Sequence, residues 1–228
     1  ANITERYINS LPIGMDPYEV LGNPYLLPEE NRQLDVNATY RSEKVLAQMN
    51  IFYSSINNFI SSQINTSLKP QFGAPGVRQF VNIKEAVIYG GEWYVAHTIS
   101  TNFRQSISLA YIHGTNKTMN MPLPEIAPLE IKYHITVSIL KNTNAFTHLR
   151  YVGAQKRIAN NFGERITGDF TTFDIGCKLN INQQLRTEFA INNIFNLAYR
   201  EHLSRFIKPT LPLNSMGRNF LLTVAFEF

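Results

Sequence analysis

The segment "NFLLTVAFEF" (Asn219–Phe228) puts Phe220, Leu222, Val224, Phe226 and Phe228 on one side of an extended chain and Thr223, Ala225 and Glu227 on the other. One face is apolar to the final residue, in a chain whose mean hydropathy is only −0.17. The same alternation recurs upstream. Phe173, Ile175, Cys177, Leu179 and Ile181 alternate with Asp174, Gly176, Lys178, Asn180 and Asn182. Ile131, Tyr133, Ile135, Val137 and Ile139 alternate with Lys132, His134, Thr136 and Ser138, and Leu34, Val36, Ala38 and Tyr40 with Gln33, Asp35, Asn37 and Thr39. Period two over this length predicts strands with one apolar and one wet face, and helical spacing fits none of them.

About nine strands are predicted, near 31–41, 45–63, 80–99, 103–113, 129–141, 146–157, 170–182, 185–198 and 218–228. Each is at or above the roughly 10 residues of a tilted membrane strand. The connectors 42–44, 100–102, 142–145 and 183–184 are short, and 64–79, 114–128, 158–169 and 199–217 are long. Strict alternation of short and long is what a meander through a bilayer gives, with tight turns on the periplasmic side and extended loops outside. The fold class read from this is all-β, an antiparallel transmembrane β-barrel. A soluble β-sandwich binding module is the alternative, since its strands also alternate, but they usually run ~5 to 6 residues.

Composition agrees. The aromatic fraction is 12% and the charged fraction 17%, the latter below the roughly 25% of soluble domains. No apolar run approaches the ~20 residues of a membrane helix. The net charge of +4 comes from scattered basic residues, and without a Lys/Arg run nucleic acid is not an expected partner. Cys177 is the single cysteine, which excludes an intrachain disulfide and a cysteine zinc cluster. The chain opens on Ala1 with no signal peptide, the expectation for a mature, processed or truncated product.

Five stretches, in order, resemble the C-terminal half of TonB-dependent outer-membrane receptors: "GNPYLLPEENRQLDV" (Gly22–Val36), "NIKEAVIYGGEWYVAH" (Asn82–His97), "PLPEIAP" (Pro122–Pro128), "AINNIFNLAYREH" (Ala190–His202) and "GRNFLLTVAFEF" (Gly217–Phe228). The resemblance implies that residues 1–228 are the last nine or so strands of a 22-stranded plugged barrel, with 1–30 an extracellular loop. It also implies that the plug and the first strands lie outside this chain. Such a protein sits in the Gram-negative outer membrane and imports a metal ion or metal chelate by energy-coupled gating of the plug. Its partners would be outer-membrane lipid, TonB–ExbB–ExbD through the plug, the barrel-assembly machinery and, in some members, a companion lipoprotein. No cofactor is implied. A plug-less porin or an autotransporter-type barrel remains the alternative.

No GxSxG, HExxH, Walker or GxGxxG pattern occurs and the five histidines are scattered, so an enzyme is not expected. Candidate metal ligands are Met119 and Met121 in an outer loop, His113 at the end of the strand before it, and Met15, because thioether and imidazole suit copper. The stretch "ERYINSLPIGMDPYEVLGNP" (Glu5–Pro24) resembles the copper-receptor subgroup; ferric siderophore and haem are the other cargoes the family implies. Loop methionines also simply cover apolar surface. His134, Lys178, Arg186 and Glu188 are expected to face lumen or plug, or only a solvated wall. Phe228, Phe226 and Val224 match a C-terminal assembly signal, and Trp93, Tyr94 and Tyr133 are expected in an interfacial girdle.

Overall fold

A computed structural model describes residues 1–10, 17–71, 73–204 and 213–227. Its elements, in chain order, are a short helix α1 (Ile3–Tyr7), then β1 (Asn9–Ser10), β2 (Glu19–Leu21), β3 (Glu30–Arg41), β4 (Val45–Ile64), β5 (Val77–Ser100) and β6 (Phe103–Asn116). There follow β7 (Met121–Pro122), β8 (Glu130–Leu140), β9 (Thr143–Val152), a 3-10 turn (Asn160–Phe162), β10 (Phe170–Asn180), β11 (Leu185–Asn192) and β12 (Asn219–Phe226). All twelve strands join one sheet. Its long members form an antiparallel meander in the order β3, β4, β5, β6, β8, β9, β10, β11, β12. Among the described residues the edge strands β3 and β12 each have one strand neighbour.

Register carries the alternation across the whole sheet. One row runs Val95, Ile107, Tyr133, Leu149, Phe173, and the next runs Ala96, Ser106, His134, His148, Asp174. A slip of one residue in any pair would exchange the two faces, so the pattern fixes the register. Ile107, Leu149, Ile175, Phe189, Leu222 and Val224 are all exposed on the apolar face. An apolar surface this continuous is not one that water tolerates. No helix among the described residues is long and apolar enough to cross a membrane, so any crossing is made by strands.

The short turns, 42–44, 101–102, 141–142 and 181–184, all lie at one end of the sheet. At the other end β4 and β5 run to 20 and 24 residues, about twice what a tilted membrane strand requires. They stand well beyond a bilayer. β6 pairs with β5 only from Ala86 onward, and β2 takes up the vacated edge by parallel pairing at Val77–Gln79. The expected outer loop 1–30 is therefore not plain loop. It holds α1, closed by a capping box in which the Asn2 side chain accepts from the Glu5 amide and Glu5 accepts from the Asn2 amide. Arg6 then ties it down, donating to the Pro24 and Leu26 carbonyls at 2.5 and 2.8 Å. Gly22 admits that close approach, since a Cβ there would lie 2.5 Å from the Arg6 carbonyl carbon.

Two predicted strands need correction. The strand expected at 146–157 is Thr143–Val152, because the chain turns within Lys141–Asn142 and leaves the sheet after Val152. The strand expected at 185–198 stops at Asn192. Asn193 takes φ 50°, and its side chain accepts from the Leu197 amide and donates to the Leu197 carbonyl, clasping a turn where alternation alone suggested continued strand.

Candidate functional site: polar wall and outer-loop cluster

The polar face of β8 to β11 carries the charged residues, arranged as cross-strand pairs. Lys178 and Glu188 are directly opposed and paired at 3.2 Å, and Arg186 meets Glu227 at 2.5 Å. Lys178 Nζ also lies 5.4 Å above the Phe146 ring. Phe146 is buried over Gly176, where a Cβ would come within 2.3 Å of Phe146 Cζ, so only glycine leaves room for the ring. His134 sits opposite His148 with ring centroids 4.2 Å apart, and its Nε2 lies 2.8 Å from Thr136 Oγ1.

Nearer the loops the wall ends in an ion network. Arg150 donates from Nε to Glu130 at 2.6 Å and from Nη1 and Nη2 to the two Glu201 oxygens at 2.5 and 3.2 Å. Lys132 meets the other Glu130 oxygen at 2.7 Å. A bidentate fork is the stronger form of this pairing. It fixes the segment after β11 to β8 and β9, with the Phe170 and Tyr199 rings beside it, tilted by 35° with centroids 4.4 Å apart.

Above the wall the long connectors interlock around a cavity of about 80 Å3 lined by Tyr18, Arg78, Phe162, Glu164 and His202. The Arg78 guanidinium lies between Tyr18 and Phe162, at 4.9 and 4.0 Å from the ring centres, and donates to the Phe162 carbonyl at 2.8 Å. Gly163 adopts φ 90° and faces Tyr18 so closely that a Cβ would lie 2.9 Å from its ring. Glu164 accepts from the Glu125 and Ala159 amides at 2.5 and 2.8 Å, and lies 3.7 Å from His202 Nε2. Burial pushes the Glu164 carboxyl up, but the hydrogen bonds from His202 and the two amides outweigh it and hold the group below its ordinary value.

The candidate metal ligands fall in different surroundings. Met119 is exposed in the turn after β6, its amide donating to Asn116 Oδ1, while Met121 pairs with Asn116 in β7. His113 stacks on Tyr89 at 4.7 Å, with Tyr111 Oη 3.2 Å and Arg157 Nη1 2.7 Å from its Nδ1. Its imidazole is thus engaged on the face shared with Tyr111 and Tyr89. Met15 and Phe228 lie outside the described residues.

Trp93 aligns with Leu109 and Ile131 on the apolar face, and Tyr133 with Ile107 and Leu149. Tyr94 aligns with Gln48, Ser108 and Lys132 on the polar face, so its place in the girdle is corrected. Adjacent residues of a strand cannot share a face. Tyr53, Tyr111 and Tyr151 join Trp93 and Tyr133 on the apolar side, three to which the same parity points. Phe226 and Val224 are exposed on that side too.

The family model described as TonB dependent receptor-like, beta-barrel, matches residues 1–194. An iron-regulated outer membrane virulence protein of Vibrio cholerae is 23% identical over 188 residues, 78% of this chain and 29% of the relative. Among solved structures, the copper transporter OprC superposes with a TM-score of 0.82 at 24% identity over 91% of this chain and 33% of that one. The ferric enterobactin receptor PfeA of Pseudomonas aeruginosa (a G324V mutant) superposes with 0.69 at 16%, over 94% and 34%. The siderophore receptor PirA of Acinetobacter baumannii gives 0.67 at 17%, over 95% and 35%. The chain spans about a third of the length of the proteins it matches.

Proposed function

Because the chain belongs to the TonB-dependent receptor β-barrel family, we propose that it is the C-terminal wall of an outer-membrane transporter that imports a metal ion or metal chelate. The observation that carries this is the two-faced sheet, apolar on one side across nine long strands and charged on the other. In hydrocarbon every backbone group must be paired, and a sheet satisfies that only by closing. The edges of β3 and β12 are therefore met by strands from the rest of the polypeptide, 22 in all by the family pattern, around a plug that couples to TonB–ExbB–ExbD. The described residues of the 1–30 segment stand outside the membrane, and the Arg150–Glu201 fork and the Glu164 cluster hold the outer loops over the lumen mouth. The family is one of receptors and transporters rather than enzymes.

Copper is the favoured cargo. The support is the Met119 and Met121 thioethers on an outer hairpin, a soft donor pair suited to copper, and the likeness to a copper transporter. A ferric siderophore is the second reading, favoured by the relative named as iron-regulated. Energised uptake separates them. Cells lacking the full gene and cells restored with it are given radioactive copper or a ferric siderophore, with and without an uncoupler. Gene-dependent, uncoupler-sensitive copper accumulation is the expected result. Accumulation of neither metal would refute the import reading, and accumulation insensitive to the uncoupler would favour a plug-less porin. Phe226, Val224 and Phe228 serve the assembly machinery in this account. Serine at 226 and 228 is expected to leave little heat-modifiable barrel in the outer-membrane fraction, and a normal amount would refute that role.

A further inference from the structure

His134 and His148 are the only two histidines among the described residues whose rings meet. They are opposed across β8 and β9, centroids 4.2 Å apart and planes inclined by 43°. A borderline divalent metal binds an imidazole nitrogen at about 2 Å, so two rings in contact are near enough to share one ion. The two rings already meet across neighbouring strands, on the face that borders the cavity. Phe146 forms the floor, 6.2 and 5.1 Å from the two rings, and is itself seated over Gly176. Thr136 Oγ1 at 2.8 Å from His134 Nε2 is the kind of outer partner that orients an imidazole ligand. Ser106 and Asp174 extend the row on either side, and all four residues border an open cavity of about 320 Å3 that admits water.

We propose that His134 and His148 form a bis-imidazole site for a borderline divalent cation of the Cu(II), Ni(II) or Zn(II) class on the polar wall. Imidazole suits these ions, whereas Mg(II) and Ca(II) require oxygen donors. Among the described residues no three His, Cys, Asp or Glu groups come together as a metal centre, so the protein gives two ligands and water completes the shell. The cations facing the pair, Lys132, Arg150 and Lys178, are each held in ion pairs, with Glu130, with Glu130 and Glu201, and with Glu188, and Asp174 adds a further carboxylate in the row. Selectivity among cations comes from the imidazole ligands. Two protein ligands make a weak site, the kind from which an ion can leave again. This binding does not depend on the import reading above and is measured apart from it.

The experiment is a Cu(II) titration of the full receptor in detergent near neutral pH, read by electron paramagnetic resonance. The wild-type protein is expected to give a species with two imidazole nitrogens coupled to copper. His134→Gln and His148→Gln are each expected to weaken it by on the order of tenfold or more, and the double variant to lose it. His97→Gln, on the apolar face opposite Val45, is expected to change nothing. Heat-modifiable gel migration checks that each variant is folded. An unchanged nitrogen count and affinity in the folded double variant would overturn the proposal. So would a wild-type spectrum with no two-nitrogen species, which is independent of how any variant folds.

Discussion

The turn-side half of the sheet and its loop-side half are built on different principles. On the turn side, every strand repeats one instruction, apolar outward and polar inward, and connectors of two to four residues leave no freedom in the register. On the loop side, the structure depends on single residues: Arg78 between two rings, Glu164 under two amides, Arg150 forked onto Glu201. The first half is expected to tolerate exchange of one apolar residue for another, and the second to be sensitive to loss of its anchors.

The largest expected effect lies on the turn side. Ile175 is on the apolar face between Thr147 and Ile191, and Ile175→Lys should cost about 2–4 kcal/mol of folding stability in bilayers. Lys178→Met, three residues away on the polar face, should cost far less, and equal losses in urea-driven unfolding would show that the faces do not differ as described. Next is Gly176→Ala, whose methyl would meet Phe146 and the Phe189 carbonyl and should cost about 1–3 kcal/mol. The companion change Phe146→Leu should recover part of that loss in the same titration.

On the loop side, Arg150→Ala strands Glu201 and leaves Glu130 with Lys132 alone, and should cost about 1–3 kcal/mol. Protease cleavage within 193–204 should quicken while the membrane-embedded fragment stays intact. The smallest effect is a pH dependence confined to the loops. An unfolded Glu164 carboxyl takes up its proton near the ordinary 4.5, and the folded one keeps its charge to lower pH. Its support is therefore complete above about pH 4.5 and is lost as pH falls through the lower folded value. Hydrogen exchange at Ala159 and Glu125 should accelerate there, and Glu164→Gln should abolish that step.

The same division explains what the sequence made legible. Period two survives inspection by eye because burial against lipid on one side and water on the other acts on every residue of a strand. So β3, β8, β10 and β12 were placed within a residue or two. Tyr94 takes the polar face because strand parity, fixed by Trp93 beside it, outranks aromatic character. Asn193 ended β11 through a left-handed backbone and a side-chain clasp, which hydrophobic alternation does not encode. The loop anchors were not legible at all. Arg78 meets the Phe162 carbonyl across 84 residues, and Arg150 meets Glu201 across 51. His148 was likewise passed over, since its partner His134 is adjacent only through the β8–β9 register.

The central claim is that successive residues of one strand face lipid and lumen in turn. It is tested by nitroxide labels placed singly from Ile131 to Ser138 along β8 in the full receptor in bilayers, with Cys177 changed to Ser. Collision rates with oxygen, which partitions into lipid, and with a polar nickel chelate are then compared at each site. Oxygen maxima at 131, 133, 135 and 137, with chelate maxima at 132, 134, 136 and 138, are the expected result. Chelate access at all eight positions would mean that this sheet stands in water, and the membrane account would be wrong.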